Sequence, residues 1–168
     1  MIPTLTTERL TLRGAKASDF DAYAAMLGDD RTRYMGGPYS RARAWDMFCN
    51  ITAQWQLSGF GGWIIEDADG FAGEVAIWHP PYFPEPELGW TLTADAEGRG
   101  YAFEAAEAAR LWYWSNTDAA SIVSYIDLQN TRSKALASRL GAQPDPHGPW
   151  AQGDSPEDTA VYRHRRAA

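Results

Sequence analysis

The chain has 168 residues, of which 45% are hydrophobic and 22% charged, a composition that is ordinary for a globular domain. Its single cysteine excludes an internal disulfide framework, and the sequence has no run of about 18 apolar residues that would predict a membrane span. A formal net charge of −7 argues against nucleic acid as the main partner; it favours a cationic substrate and also serves solubility.

The sequence shows no sign of a second domain or of export. It contains no repeat, no linker and no second composition regime, so we expect one domain over residues 1–168. Residues 1–10 lack a basic region followed by an apolar run, which predicts no signal peptide. A lone cysteine is typical of a reducing compartment, so we expect a cytoplasmic protein without a membrane partner.

The first elements along the chain are a strand and two helices. Residues 9–13 alternate between polar and apolar side chains, which predicts a strand. Ser18 and Asp21 form a capping-box pattern, and Ser40 is expected to cap a second helix that ends near Gly59. The apolar stripe of the first helix is Phe20, Tyr23, Ala24 and Leu27. The face of the second helix expected to pack in the core is Trp45, Phe48, Cys49, Thr52 and Trp55.

A hairpin is predicted next, with strands over residues 60–66 and 71–78 around the turn pair Asp69-Gly70. Glu74 is an acid on an otherwise apolar face of the second strand. The neighbours expected on that face are Ala72, Ala76 and Trp78. An acid in such a place lies either at an exposed edge or at a functional site.

A glycine turn between a strand and a helix is the most informative stretch. The predicted strand over residues 87–93 leads into Gly98 and Gly100, and an alanine-rich helix follows to about Trp114. Glycines let the backbone turn tightly, so main-chain N–H groups can converge at the positive end of the helix dipole, and Arg99 adds a full charge. The turn therefore predicts a site for phosphate. The small face that lets this helix lie close to a sheet is Ala102, Ala105, Ala106 and Ala109.

Two common phosphate-binding motifs are excluded. No Gly-Lys-Ser/Thr follows the turn, so a nucleoside-triphosphate loop would lack its lysine and its magnesium ligand. Phe103 stands where a dinucleotide-binding fingerprint needs its third glycine. A phosphorylated cofactor of another kind is left.

The last third of the chain alternates strand and helix. Residues 121–127 predict a strand, Asn130 caps a helix that Gly141 terminates, residues 144–158 form a loop, and residues 159–165 close with a strand. One face of that helix is Ser133, Leu136, Ala137 and Leu140. The whole order predicts an α/β domain with a mixed sheet.

In this order the elements resemble the GNAT superfamily of N-acetyltransferases, and more narrowly its ribosomal-protein N-terminal acetyltransferase (RimJ/RimL-type) branch. The matching pieces are TERLTLR (7–13), MGGP (35–38), the helix with Trp45, GEVAIW (73–78), ELGWTL (87–92), GRGYAFEA (98–105), NTRSKALASRLGA (130–142) and VYRH (161–164). The resemblance implies a mostly antiparallel central sheet flanked by helices, with a cofactor cleft between splayed central strands.

The resemblance also implies acetyl-coenzyme A as cofactor, with no metal. Its pyrophosphate would lie on the main-chain N–H groups of residues 98–102, and its pantetheine arm would run beside residues 91–93, meeting Leu92 chiefly through the backbone. Asn130 matches an asparagine near the pantetheine, and Ser133 a serine near the thioester sulfur. The cofactor-binding residues so implied are Thr91, Leu92, Thr93, Gly98, Arg99, Gly100, Tyr101, Ala102, Asn130 and Ser133.

Two positions depart from the family pattern. Glu97 stands where the glycine turn often begins with Arg or Gln, which weakens a site that binds through its backbone without abolishing it. Ala137 stands where a tyrosine often protonates the leaving thiolate, and the role then passes to Ser133, to a water or to no group.

The expected reaction is direct attack of an amine on the thioester. Cys49 is expected to be a buried, inert thiol in mid-helix. Candidate bases are Glu87, Glu74 and His79; we choose Glu87 because it begins the strand beside the thioester. Glu87 and Ser133 are thus the catalytic candidates. Glu74 and Trp78 are the candidates for the substrate pocket.

The predicted function is transfer of an acetyl group from acetyl-coenzyme A to a primary amine, either a protein N-terminal α-amine or a small molecule such as an antibiotic or polyamine. Another acyl group, such as succinyl, is a near alternative. A non-catalytic module that binds coenzyme A is the alternative from a different class. Dimers are common in the family, so a homodimer is also considered.

Overall fold

The computed structural model describes residues 1–166, which form a central β-sheet flanked by α-helices. Its strands are β1 (Leu5–Thr6), β2 (Thr11–Arg13), β3 (Gly62–Asp67), β4 (Gly70–Trp78), β5 (Glu87–Leu92), β6 (Ser121–Asp127), β7 (Gln143–Pro144) and β8 (Thr159–Arg165). Its α-helices are α1 (Phe20–Leu27), α2 (Arg41–Ser58), α3 (Tyr101–Asn116) and α4 (Thr131–Arg139). Short 3₁₀ turns cover Ala17–Asp19, Asp30–Met35 and Ala94–Ala96.

The described strands make a single eight-stranded sheet in the order β1-β2-β3-β4-β5-β6-β8-β7. All neighbours are antiparallel except β5 and β6, which are parallel and share only the rung Glu87↔Val123. Beyond that rung the two strands separate. The predicted fold class, a mostly antiparallel sheet with splayed central strands, is confirmed.

Side chains alternate between the two faces of a strand, so the sheet presents apolar side chains on both faces, and helices cover each of them. On one face α3 packs through Ala105, Ala106 and Ala109, each fully buried against a cluster that includes Val75 and Ile77. These small side chains bring the helix close to the sheet, as predicted. On the other face α1 and α2 bury a second cluster, which includes Tyr23, Leu27, Phe48, Ile51 and Ile64.

A β-bulge in the hairpin decides which way Glu74 faces. The register of β3 and β4 steps from Ile65↔Gly73 to Glu66↔Phe71, so Ala72 has no partner of its own. One extra residue reverses the alternation on one side of the bulge. Ala72 therefore packs in the α3-side cluster, and the expectation that it shares a face with Glu74 is wrong.

The buried face of α2 also differs from the predicted one. Its core positions are Ala44, Phe48, Ile51 and Trp55, which follow helical spacing. Cys49 is exposed, so the predicted burial of this thiol is wrong. Trp45 and Thr52, which the sequence analysis places on the core face of α2, are exposed as well. Ser40 does cap the helix, since its Oγ accepts from the N–H of Arg43.

The predicted capping box of Ser18 and Asp21 is absent, and Asp19 instead fixes the 3₁₀ turn that precedes α1. Asp19, rather than Ser18 with Asp21, accepts the main-chain N–H of Lys16 at 2.7 Å. Its carboxylate also receives two hydrogen bonds from Arg13, at 2.8 and 2.9 Å. This buried ion pair ties the helix start to β2, which the local capping pattern could not indicate.

Candidate active site

The cleft opens where β5 and β6 separate, and side chains take over the hydrogen bonds that the strands give up there. The Ser124 hydroxyl donates to the Leu88 carbonyl at 2.6 Å. The Tyr125 N–H, on β6, reaches Glu87 Oε1 on β5 at 3.4 Å. The two strands are therefore held apart at this point by polar groups, with the Glu87 carboxylate at the apex of the gap.

Beyond the apex, β5 turns main-chain groups toward the gap. Leu88 directs its carbonyl to β6, and main-chain direction alternates along a strand, so Trp90 and Leu92 face the same way. Thr91 instead lies in the ladder with Glu74 of β4, and the Thr93 N–H donates to the Ala72 carbonyl. The free main-chain groups of β5 thus belong to alternate residues, and an extended ligand with amide groups could pair with them.

The glycine turn places the start of α3 at the end of this gap. Gly98 and Gly100 both have positive φ, 74° and 82°, which a residue with a side chain rarely adopts. The helical ladder begins with the Glu104 N–H donating to the Gly100 carbonyl, which leaves the N–H groups of residues 101–103 without helical partners. Within residues 1–166 no side chain caps this helix, whereas Asn130 caps α4. Free N–H groups at a positive dipole end form an anion site.

Two arginines face each other across this end of the cleft. Arg31, from the 3₁₀ turn after α1, and Arg132, from the first turn of α4, both pair with Glu97. Glu97 begins the glycine turn, so its negative charge lies between two guanidinium groups beside the anion site. The sequence analysis singled out Glu97 but neither arginine. Arg31 and Arg132 are about 100 residues apart in the chain, on the order of a domain length, and only the fold brings them together.

Two carboxyl groups of raised pKa line the cleft, Glu87 at its apex and Glu74 beside Thr91 in the β4–β5 ladder. Glu74 is buried; its Oε2 accepts from the Tyr23 hydroxyl at 2.9 Å, while its Oε1 has no partner within the described chain. Burial raises the pKa of Glu74 to about 7. Burial also raises the pKa of Glu87 to about 7, although the Tyr125 N–H acts in the opposite direction. Both groups are therefore poised to exchange protons near neutrality.

A buried histidine holds the serine at the apex. His164 is fully buried, and its Nε2 lies 3.1 Å from the Ser124 Oγ. Since the Ser124 proton goes to Leu88, the histidine Nε2–H is the donor in this contact. Burial lowers the pKa of His164 to about 4, so the ring is neutral at physiological pH. Nothing in the sequence marked this pair, because both residues lie on predicted strands.

Most of the predicted site residues line one cleft of about 540 Å³. These are Glu74, Trp78, Glu87, Thr91, Leu92, Gly98, Gly100, Tyr101, Ala102, Asn130 and Ser133. Thr93 and Arg99 instead line a second cavity, of about 510 Å³, beside α1. The Arg99 guanidinium pairs with Asp67 at 3.2 Å and lies over the Tyr101 ring.

The remaining candidates lie away from the cleft lining. His79 is exposed, and Ala137 is fully buried against Ile126 and Ala142. The exposed Cys49 lines neither cavity. Asn130 is confirmed as a helix cap, since its Oδ1 accepts from the Ser133 N–H at 3.1 Å and its amide N–H₂ stays available.

Two further properties of the described chain concern metal ligands and membrane-spanning helices. Among residues 1–166 no group of three His, Cys, Asp or Glu side chains could hold a metal ion. None of the helices in that range has the length and apolar character needed to cross a membrane.

Comparison with known proteins gives one consistent result. The family model for the acetyltransferase (GNAT) domain matches residues 9–143. A solved acetyltransferase from Agrobacterium tumefaciens str. C58 is 42% identical, with 99% of this chain and 96% of that chain covered and a TM-score of 0.92. The fold is also that of RimL, a ribosomal L7/L12 α-N-protein acetyltransferase solved with coenzyme A (17% identity, 97% and 98% covered, TM-score 0.78). It is likewise that of the microcin C7 self-immunity acetyltransferase MccE, solved with acetyl-coenzyme A and AMP (15% identity, 95% and 94% covered, TM-score 0.75).

Replacing Glu97 by Gln should tighten binding of acetyl-coenzyme A about fivefold at low ionic strength. The change removes one negative charge beside the anion site, and a unit charge near 4 Å in water is worth about 1 kcal/mol. It also releases Arg31 and Arg132 to meet phosphate. Isothermal titration measures the dissociation constant, and the gain should shrink as salt is added.

Glu157→Gln is the matched control, because it removes the same charge from the loop before β8, away from the cleft lining. Its affinity should equal that of the unaltered protein. Weaker binding by Glu97→Gln would contradict the expectation and show that Glu97 serves mainly to hold the arginines in place.

Proposed function

Since this chain belongs to the GNAT acetyltransferase family and is an acetyl-coenzyme A-dependent enzyme, we propose that it acetylates a primary amine of low pKa, such as the α-amine of a peptide N-terminus. The observation that carries this proposal is the position of the Glu87 carboxyl group at the apex of the gap between β5 and β6, where burial raises its pKa to about 7. Family membership sets aside the alternative of a non-catalytic module.

The residues around the gap suit the cofactor. The main-chain groups of Trp90 and Leu92 would pair with the amide groups of the pantetheine arm, and the N–H groups of residues 98–102 would hold the diphosphate. The Asn130 amide would donate to the arm from the α4 side. Bound acetyl-coenzyme A supplies a thioester whose carbonyl carbon a neutral amine attacks, with coenzyme A leaving as a thiol.

The strength of the available base limits the acceptor. An α-amine of pKa about 7.7–8 loses its proton at pH 7 at a cost of about 1 kcal/mol, whereas a lysine amine of pKa about 10.4 costs about 4.6 kcal/mol. A carboxylate of pKa about 7 can readily accept a proton from an α-ammonium group. It can accept one from a lysine ammonium group only at much greater cost. The site therefore favours an α-amine, or a small-molecule amine of similar pKa, over a lysine side chain.

Ser133 lies on the α4 wall, across the cleft from β5. We assign its hydroxyl the protonation of the leaving thiolate. Ala137, one turn further along α4, is buried and has no proton to give. A thiol of pKa about 8.5 is already a fair leaving group, so this contribution is modest.

Glu74 and Trp78 would form part of the acceptor pocket. Both lie on the sheet face that α1 and α2 cover, and both line the cleft. The Tyr23 hydroxyl fixes one oxygen of Glu74, and the other oxygen is buried without a partner in the described chain. Met35 and Met47 add an apolar wall above them.

A thiol-release screen tests the proposed acceptor. We expect turnover of peptides with a free N-terminal amine, and a kcat/KM at pH 7 at least about 100-fold lower for the same peptides acetylated at the N-terminus and carrying a lysine; the pKa difference alone allows a factor of several hundred. Preferred turnover of lysine side chains would contradict the proposal.

Glu87→Gln should flatten the acid limb of the pH profile of kcat/KM. The unaltered enzyme should gain activity as the pH rises through about 7, because Glu87 must be ionised to accept a proton and its pKa is about 7. The assay uses an acceptor amine whose pKa lies well below that of Glu87, so that protonation of the acceptor does not contribute to the acid limb. A variant with the same acid limb as the unaltered enzyme would remove Glu87 from the proton transfer.

Ser133→Ala should lower kcat by about ten- to a hundredfold at saturating acetyl-coenzyme A, as expected for a modest general acid. Ser138→Ala, an exposed change on the same helix, is the control and should leave kcat unchanged. A loss of less than about threefold for Ser133→Ala would show that Ser133 does not protonate the leaving thiolate.

A further inference from the structure

The floor of the acceptor side of the cleft has a gap in its side chains. On the face covered by α1 and α2, three rungs of β4 and β5 follow one another: Trp78↔Glu87, Ala76↔Gly89 and Glu74↔Thr91. The first and third rungs carry large or polar side chains. The middle rung carries a single methyl group, so a slot crosses the sheet between the two raised-pKa carboxyl groups.

The fold does not require glycine at position 89. Gly89 lies inside β5 without a positive φ, and a Cβ atom built there would meet no heavy atom of residues 1–166 within 4 Å. Gly73 on β4 is the opposite case, because a Cβ there would lie 2.2 Å from the Thr91 carbonyl oxygen. A glycine inside a strand weakens it, and one that the packing does not need often marks close approach of a ligand.

The slot lies beside the proposed base. Glu87 and Gly89 are two residues apart on one strand, so their Cα atoms are about 6.6 Å apart on the same face. A general base must come within hydrogen-bond reach of the amine or act through one water. An amine held by Glu87 on this face therefore places the carbon that bears it over Gly89.

We propose that Gly89 determines acceptor specificity, because its missing side chain leaves room for a substituent on the carbon that bears the reacting amine. The substrate class is then an α-branched amine, in which that carbon carries a side chain and a carbonyl group. This inference rests on the proposed acetylation of a low-pKa amine and specifies the shape of the acceptor. Tyr23, Met35 and Met47 line the same cleft as Gly89.

The test compares Gly89→Ala with the unaltered enzyme on peptides that differ only in their first residue, Gly, Ala or Val. The reacting group is an α-amine in all three, and only the substituent on its carbon changes. We expect kcat/KM of the variant to fall less than about threefold on the Gly-first peptide and at least about tenfold on the Val-first peptide. The dissociation constant for acetyl-coenzyme A should stay unchanged, and the melting temperature should not fall. An equal loss on all three peptides, or no loss, would overturn the inference.

Gly73→Ala is the matched control for a damaged fold. Its Cβ collides with β5, so this variant should melt at a lower temperature and lose activity on every peptide alike. Failure of the proposed function is a separate result, seen in the unaltered enzyme as turnover of no peptide. In that case the unaltered enzyme is assayed with straight-chain and α-branched small amines. Turnover of straight-chain amines alone would overturn the role of Gly89.

Discussion

The interaction on which the rest of the structure depends is the parallel pairing of β5 and β6, which stops after one rung. A buried strand edge needs hydrogen-bond partners. Ser124, held by His164, satisfies Leu88, and Glu87 satisfies Tyr125, so two side chains close the end of the gap. Further along, the main-chain groups of β5 face the cleft. The fold thus produces a binding edge in the middle of a sheet, where both faces are covered.

Charge is distributed unevenly along this edge. At the glycine turn, the dipole of α3 and two arginines provide positive potential, which Glu97 partly offsets. On the sheet face that α1 and α2 cover, Glu87 at the apex and Glu74 beside Thr91 are carboxyl groups whose pKa burial raises to about 7. An anionic cofactor and an amine acceptor would therefore meet different parts of the cleft. The distribution of charge in the cleft would thus orient the cofactor and the acceptor.

Local patterns in the sequence predicted the elements well, because each depends on a few neighbouring residues. The glycine turn, the Asn130 cap and the closing strand all follow from short-range rules. The bulge at Ala72 and the exposed Cys49 were missed, because both depend on how an element is rotated against its neighbours. The Arg31, Glu97 and Arg132 cluster and the Ser124 and His164 pair were also beyond the sequence. Each joins segments that meet only after the sheet has formed.

The family resemblance predicts the cofactor site, and the structure adds a reason that β5 could serve it. Alternation along that strand directs the main-chain groups of Thr91 to the β4 ladder and would leave those of Trp90 and Leu92 to a ligand. A crystal structure with acetyl-coenzyme A tests this most directly. The account predicts pantetheine amides bonded to the main chain of Trp90 and Leu92, with the diphosphate on the N–H groups of residues 98–102. A diphosphate found in the second cavity, against Thr93 and Arg99, would contradict it.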